Sequence, residues 1–274
     1  KRSKNLVKYI FIPHNILSTH MVFREGAFDA FDAFFCSGPH HLREVRETEN
    51  IYKLKKKELI KFGYSRIDKI IRISKKKKLL KNIKKIKILI APSWGPNGLF
   101  ETGAEVLIRS LLKEKNYEIT LRPHPDTLRL NPNCLKNLLS LFKRNNRIKY
   151  NPNIDSVNSY FENDILISDW SGAALEFAFG TLKPVIFLDL QKKINNDKYA
   201  DYVNKPIEIE IRNKVGKIVE QKNFDQIPEI INEFLKKKLV WKKKILSIRN
   251  KQIYNIKNSG KIGADYIQNL LQKN

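Results

Sequence analysis

D-I-L-I-S-D-W-S-G-A-A-L-E-F-A-F-G-T-L-K-P-V-I-F-L-D, residues 164–189, decides the fold. Its first apolar run, 164–168, has the length of a buried strand. S-G at Ser171 and Gly172 opens a helix over 171–179, and P-V-I-F-L at 184–188 is a second apolar run. A strand, a helix and a strand in about 25 residues form the crossover unit of a parallel sheet. Working outward, the same alternation recurs. Residues 9–13, 31–37, 86–91 and 117–121 read as strands, and residues 106–113, 133–145 and 156–161 as helices. Residues 51–87 carry lysine runs and read as a helix, a turn and a basic connector between two lobes. Residues 225–274 read as helical and basic. The expected class is α/β, with parallel sheets covered by helices on both faces.

In such sheets ligands bind beyond the carboxyl ends of the strands, and the polar motifs follow the strands. After 86–91 comes A-P-S-W-G-P-N-G, with Pro92 and Ser93 leading a glycine-bearing loop whose amides can approach an anion. Its spacing is neither that of a P-loop nor that of a dinucleotide fingerprint, and an ordinary turn accounts for it equally. After 117–121 comes R-P-H-P, in which two prolines hold Arg122 and His124 extended and stop a helix. An Arg fork and a His suit phosphate; the alternative is a rigid loop with surface charge. After 164–168 comes S-D-W-S-G, containing Asp169, Ser171 and Gly172. Ser171 is placed as an N-cap, with open amides and a helix dipole beyond it that favour an anion. Glu176 either complements that dipole or bonds ribose hydroxyls. Trp170 serves as packing or as a base-stacking platform.

The chain has 274 residues, 42% hydrophobic and 10% aromatic, enough for a sizeable core. Cys36 and Cys134 fit no disulfide framework or redox spacing, and a reducing cytoplasm follows. His14, His20, His40 and His41 cluster near the start, but their spacing matches no familiar zinc set. His14 follows the first strand, where such sheets place ligand residues. No apolar run reaches the ~20 residues that span a bilayer, and no signal-peptide core follows the basic start. Lys plus Arg number 53 and Asp plus Glu 28, a net charge of +25. That excess reflects either an AT-rich coding composition or attraction to nucleic acid, anionic lipid or a phosphate-rich ligand.

R-E-G-A-F-D…F-F-C-S-G-P-H-H, G-Y-S-R-I-D, A-P-S-W, R-P-H-P, D-I-L-I-S-D-W-S-G-A-A-L-E-F-A and K-P-V-I-F-L-D, in this order, resemble the CDP-glycerol glycerophosphotransferase family, the teichoic-acid primases and polymerases. N-S-G-K-I-G-A-D-Y-I, with Ser259 and Gly260, is similar to that family's closing motif. The resemblance implies a GT-B architecture of two Rossmann-like lobes with the site in their cleft. Residues 1–80 would be the acceptor-side lobe, truncated at its start, with the connector. Residues 81–274 would be the nucleotide-donor lobe with closing helices. The chain starts at Lys1 rather than Met, and a fragment of a longer protein is expected.

The resemblance also implies transfer of a polyol phosphate from a CDP-alcohol to a hydroxyl, lipid-linked or on a glycan, with release of CMP. The setting would be cell-envelope synthesis on the inner face of the plasma membrane. His14 would take the hydroxyl proton, with His20 in competition because Asn15 replaces the small residue usual after the catalytic His. Pro92, Ser93, Arg122, His124, Asp169, Ser171, Gly172, Glu176, Ser259 and Gly260 would hold the donor. Neither a metal nor a cofactor is implied. The lysine excess would add about 1 kcal/mol per well-placed residue on an anionic membrane. A nucleotide-sugar glycosyltransferase of similar fold stays open. So does a nucleic-acid-binding protein, although the chain lacks an RNP motif, a helix-turn-helix signature and aromatics interleaved with its basic runs.

Overall fold

The computed structural model describes residues 4–5, 7–76, 85–153 and 157–272. Among the described residues the strands pair only in parallel and form two sheets. The first sheet has the order β1-β2-β3, from Ile10–Phe11, Ala33–Cys36 and Glu58–Lys61. The second has the order β6-β5-β4-β7-β8-β9. Its strands are β4 Ile86–Ile90, β5 Tyr117–Leu121, β6 Ile148–Tyr150, β7 Ile165–Ser168, β8 Val185–Leu188 and β9 Gly216–Val219.

The central strands are continuous apolar runs because helices cover both faces of a parallel sheet. Ile88, Leu89 and Ile90 of β4 lie in register with Ile165, Leu166 and Ile167 of β7, and all are buried. The helix Gly172–Thr181 is buried along most of its length, from Ala174 to Gly180. It has no polar face, so Glu176 within it must find a partner inside the protein.

The chain divides into two compact units. One comprises Lys1–Arg72, Lys193–Ile211 and Ser247–Asn274; the other comprises Ile73–Lys192 and Arg212–Leu246. The division expected at 80/81, with the closing helices in the second lobe, therefore gives way to a discontinuous one. The reason lies at two glycines of the first unit. A Cβ on Gly38 would sit 1.8 Å from the carbonyl oxygen of Gln252. Gly63, at φ +101°, would place one 2.5 Å from that of Tyr254. Backbone meets backbone there, and Tyr254 N–H donates to Ser37 O at 3.0 Å. The C-terminal helix Ser259–Leu271 then packs on the first unit, with Tyr266 edge-on to Phe35.

Two further expectations are corrected. Residues 51–87 are not helix, turn and connector alone: they contain β3 and the helix Ser65–Lys76. Residues 77–84 of the basic run lie outside the described residues, as does Ser156 of the expected helix 156–161, whose described part is Asn158–Glu162. The prolines of R-P-H-P do not prevent a helix either. Pro125–Leu130 is one, with Pro125 in its first turn and His124 as its N-cap. At that position the missing N–H of proline costs nothing.

Candidate active site

Strands β4, β5 and β6 run outward in one direction from the centre of the second sheet, and β7, β8 and β9 in the other. The chain therefore reverses its order between β4 and β7, and a crevice opens outside the carboxyl ends at such a switch point. The loops after β4, β5 and β7 carry Pro92, Ser93, Arg122, His124, Asp169, Ser171 and Gly172, as the sequence suggested.

The two loops at the switch point are tied together. Ser93 N–H donates to Asp169 Oδ1 at 2.6 Å, and Ser168 Oγ–H donates to Ala91 O at 2.7 Å. Asp169 and Ser93 are both buried, so Asp169 holds the β4 loop against the β7 loop. Ser171 caps the helix Gly172–Thr181 and is half-exposed. Its Oγ accepts from Ala173 N–H at 3.3 Å and its carbonyl from Ala174 N–H at 3.1 Å. These amides, expected to be open to an anion, are taken up by the cap. What remains toward a ligand is the Ser171 hydroxyl, the close approach at Gly172 and the dipole of a ten-residue helix.

Arg122 and Glu176 differ most from expectation. Arg122 is 4% exposed. Its Nη1 donates to Ser159 Oγ at 2.8 Å and its Nη2 to Tyr160 Oη at 3.0 Å, with the guanidinium 4.4 Å from the Tyr160 ring centroid. Tyr160 O–H in turn donates to Glu176 Oε2 at 2.9 Å. The residues expected to bind pyrophosphate and ribose thus form a buried chain, Arg122–Tyr160–Glu176. It joins β5 to the helices Asn158–Glu162 and Gly172–Thr181.

His124 is placed differently. Its side chain is 36% exposed. Its Nδ1 accepts from Asp126 N–H at 3.1 Å, so the neutral ring carries its proton on Nε2. Trp94, from the β4 loop, lies with its ring centroid 6.1 Å from that of His124. Gly95 beside it has φ +131°, with open space where a Cβ would be. An aromatic face and an N–H donor therefore stand together at the ends of neighbouring strands. Trp170 is packing: its Nε1–H donates to Leu190 O at 2.9 Å.

Sequence reasoning missed Arg212. Its guanidinium lies 3.9 Å from the Trp170 ring centroid and donates to Leu188 O and Asp189 Oδ1 at 2.8 and 3.3 Å. Burial pulls its pKa down, against the pull of Asp189 and Asp169. A lone arginine in I-R-N-K carries no sequence signal for this.

His14, His20, Ser259 and Gly260 belong to the first unit. His14 follows β1 and is exposed, its ring edge-on to Phe23 at 5.5 Å. His20 is buried and stacked on Tyr202 at 4.5 Å, with Nδ1 3.6 Å from Glu44 Oε2. Of the two, His14 is the one in reach of a solvent-borne hydroxyl. Ser259 is fully buried, and its N–H and Oγ–H both donate to Asp68 Oδ2, at 3.0 and 2.5 Å. It ties the helix Ser259–Leu271 to the helix Ser65–Lys76 within the first unit.

Solved structures share this fold. The wall teichoic acid polymerase TagF matches with a TM-score of 0.59 at 19% identity, over 97% of this chain and 67% of that one. A TagF variant soaked with CDPG matches at 0.54 and 18%, over 95% and 65%. This chain thus spans about two thirds of the TagF chains. A UDP-GlcNAc 2-epimerase from Neisseria meningitidis bound to UDP-GlcNAc gives 0.54 at 16%, over 93% and 69%. These likenesses show the α/β, GT-B-like class. No curated protein sequence matches the chain closely enough to count as a relative. The family model described as CDP-glycerol:poly(glycerophosphate) glycerophosphotransferase matches residues 24–259, and the chain belongs to that family.

Proposed function

We propose that this chain transfers a polyol phosphate of the glycerophosphate type from a CDP-alcohol to a hydroxyl acceptor, releasing CMP, in the synthesis of a teichoic-acid-like polymer. The observation that carries the reading is the family match over residues 24–259, which spans the loops after β4, β5 and β7.

In the proposed step the acceptor oxygen attacks the β-phosphorus of the donor. A P–O bond forms, the bond from that phosphorus to the bridging oxygen breaks, and CMP leaves with the bridging oxygen. His14 takes the acceptor proton. The new charge on CMP is met by the His124 imidazole, the Ser171 hydroxyl and the dipole of the helix Gly172–Thr181. Trp94 is placed to cover the base or the pyrophosphate. Arg122, Asp169 and Glu176 act on the donor indirectly, by holding the loops.

CDP-glycerol is expected to raise the melting temperature, because a ligand of the native state stabilises it by mass action. It should also yield CMP when a hydroxyl acceptor is present. A shift from UDP-, GDP- or CMP-sugars with none from CDP-glycerol would overturn the reading in favour of a glycosyltransferase.

The +25 charge supports a finer proposal, residence on an anionic membrane surface facing a lipid-linked acceptor. Among the described residues no helix is long and apolar enough to cross a membrane. Co-sedimentation with phosphatidylglycerol vesicles should therefore be strong at low salt and lost at high salt. Equal recovery with neutral phosphatidylcholine vesicles would remove this proposal.

A further inference from the structure

Residues 12–18, which follow β1 and carry His14, form no helix or strand. Backbone without regular structure must find hydrogen-bond partners elsewhere when it is buried, and here side chains supply them almost residue by residue. Tyr64 O–H donates to His14 O at 2.8 Å. His40 Nε2–H donates to Ile16 O at 3.0 Å, and His41 Nε2–H to Leu17 O at 2.8 Å. Ser18 donates through both N–H and Oγ–H to the two oxygens of Glu208, at 2.9 and 2.7 Å. Thr19 donates through both N–H and Oγ1–H to Glu44 Oε2, at 2.6 and 2.9 Å.

These partners have a common origin. Tyr64 stands in the turn after β3. His40 and His41 stand in the first turn of the helix Pro39–Ile51 after β2, with Glu44 one turn further along. Glu208 comes from the segment Lys193–Ile211, which joins this unit from far along the chain. The turns after the second and third strands of the sheet thus converge on the loop after the first.

The His14 ring itself has little to fix it. It is exposed, it meets Phe23 edge-on, and Asn15 Nδ2 lies 3.3 Å from its Nε2. Where the imidazole stands is therefore a matter of where the backbone is held. The holding group at Ser18 is costly. Glu208 is fully buried, and burial pushes its carboxyl up to about 7, against the pull of the Ser18 hydrogen bonds. An apolar side chain would fill the same space without that cost, but it would leave two Ser18 donors unpaired and the loop unpinned.

We infer that Glu208 and Tyr64 are positioning residues for His14, fixing the loop backbone from opposite ends so that the imidazole is presented in one place. The inference rests on the reading of His14 as the base and goes beyond it, since both residues act through the loop that carries His14. Misplacement of a reacting group by about 1 Å costs up to about 10²-fold in rate, and that is the effect to be sought.

The test is a double-mutant cycle on CMP release from CDP-glycerol, using Glu208→Ala, His14→Ala and the pair. Glu208→Ala is expected to lower kcat about 10–100-fold, with the KM for CDP-glycerol within about threefold. Glu208→Gln, which keeps an acceptor for Ser18 N–H, should recover most of the rate. In the His14→Ala background the loss from Glu208→Ala should vanish, because two residues acting through one another are not additive. A Glu208→Ala variant with wild-type kcat, or one losing the same factor in both backgrounds, would overturn the inference while leaving the base reading standing. Wild-type turnover in His14→Ala alone would bring down the base reading, and this inference with it. Should Glu208→Ala fail to fold, Tyr64→Phe is read in the same cycle. It removes one hydroxyl from His14 O and keeps the ring, and the same outcomes apply.

Discussion

His14→Ala is expected to lower CMP release from CDP-glycerol by about 10²–10⁴-fold and to leave binding of CDP-glycerol nearly unchanged. The size follows from general base catalysis: with the imidazole gone, the acceptor hydroxyl keeps its proton as it attacks. The selectivity follows from placement. His14 stands after β1 in the first unit, whereas the residues after β4, β5 and β7 belong to the second. The competing role is structural, and the fold limits it: the His14 ring is exposed, and its carbonyl, which Tyr64 engages, survives the substitution. A structural residue would therefore show itself as a lowered melting temperature at unchanged turnover. That result, or a comparable loss of rate at unchanged stability in His20→Ala alone, would move the base elsewhere. His20 makes a poor substitute because it is buried against Tyr202 and Glu44.

Apart from β1, an edge strand that was nonetheless legible at residues 9–13, the strands that could be read from sequence and those that could not differ in their position in the sheets. β4, β7 and β8 are interior strands of the second sheet whose apolar runs stand out because both faces must be covered, and interior β5 shows the alternation Y-E-I-T-L. β3, β6 and β9 are edges. Glu58–Lys61 has two apolar residues between charges and Ile148–Tyr150 has a lysine at its centre, as edge strands do when they are kept from pairing further. Such segments look like basic connectors in sequence.

The site divides in a similar way. That Ser93, His124 and Ser171 follow strands was legible, because motif order carries it. Which polar residues face solvent and which face one another was not, because Tyr160, the common partner of Arg122 and Glu176, lies in an unremarked stretch, N-S-Y-F-E. Nor could a linear reading show that Gly38 and Gly63 make room for residues 252–254 and so assign the closing motif to the first unit. Those contacts join segments 254 − 63 = 191 and 252 − 38 = 214 residues apart.

Arg122→Ala is accordingly expected to act on stability first. The guanidinium makes two hydrogen bonds inside the protein and stacks on the Tyr160 ring. Hydrogen bonds from a charged group are worth about 1.5–3 kcal/mol each, and the variant loses both of those that reach Ser159 Oγ and Tyr160 Oη. A loss of about 3 kcal/mol corresponds to a fall of about 6–12 °C in melting temperature for a unit of this size. Arg122→Lys should recover only part of it, since an ammonium cannot reproduce the planar fork that reaches Ser159 and Tyr160 together. Tyr160→Phe removes the shared hydroxyl and should be non-additive with Arg122→Ala, because both cut the same chain to Glu176. Affinity for CDP-glycerol, measured by calorimetry well below the transition of the variant, should stay within about threefold, since a direct charge-assisted contact would be needed for a larger effect. A variant that melts like the wild type and binds CDP-glycerol ten or more times more weakly would show the guanidinium reaching the pyrophosphate, and would return Arg122 to the donor contacts that its place after β5 first suggested.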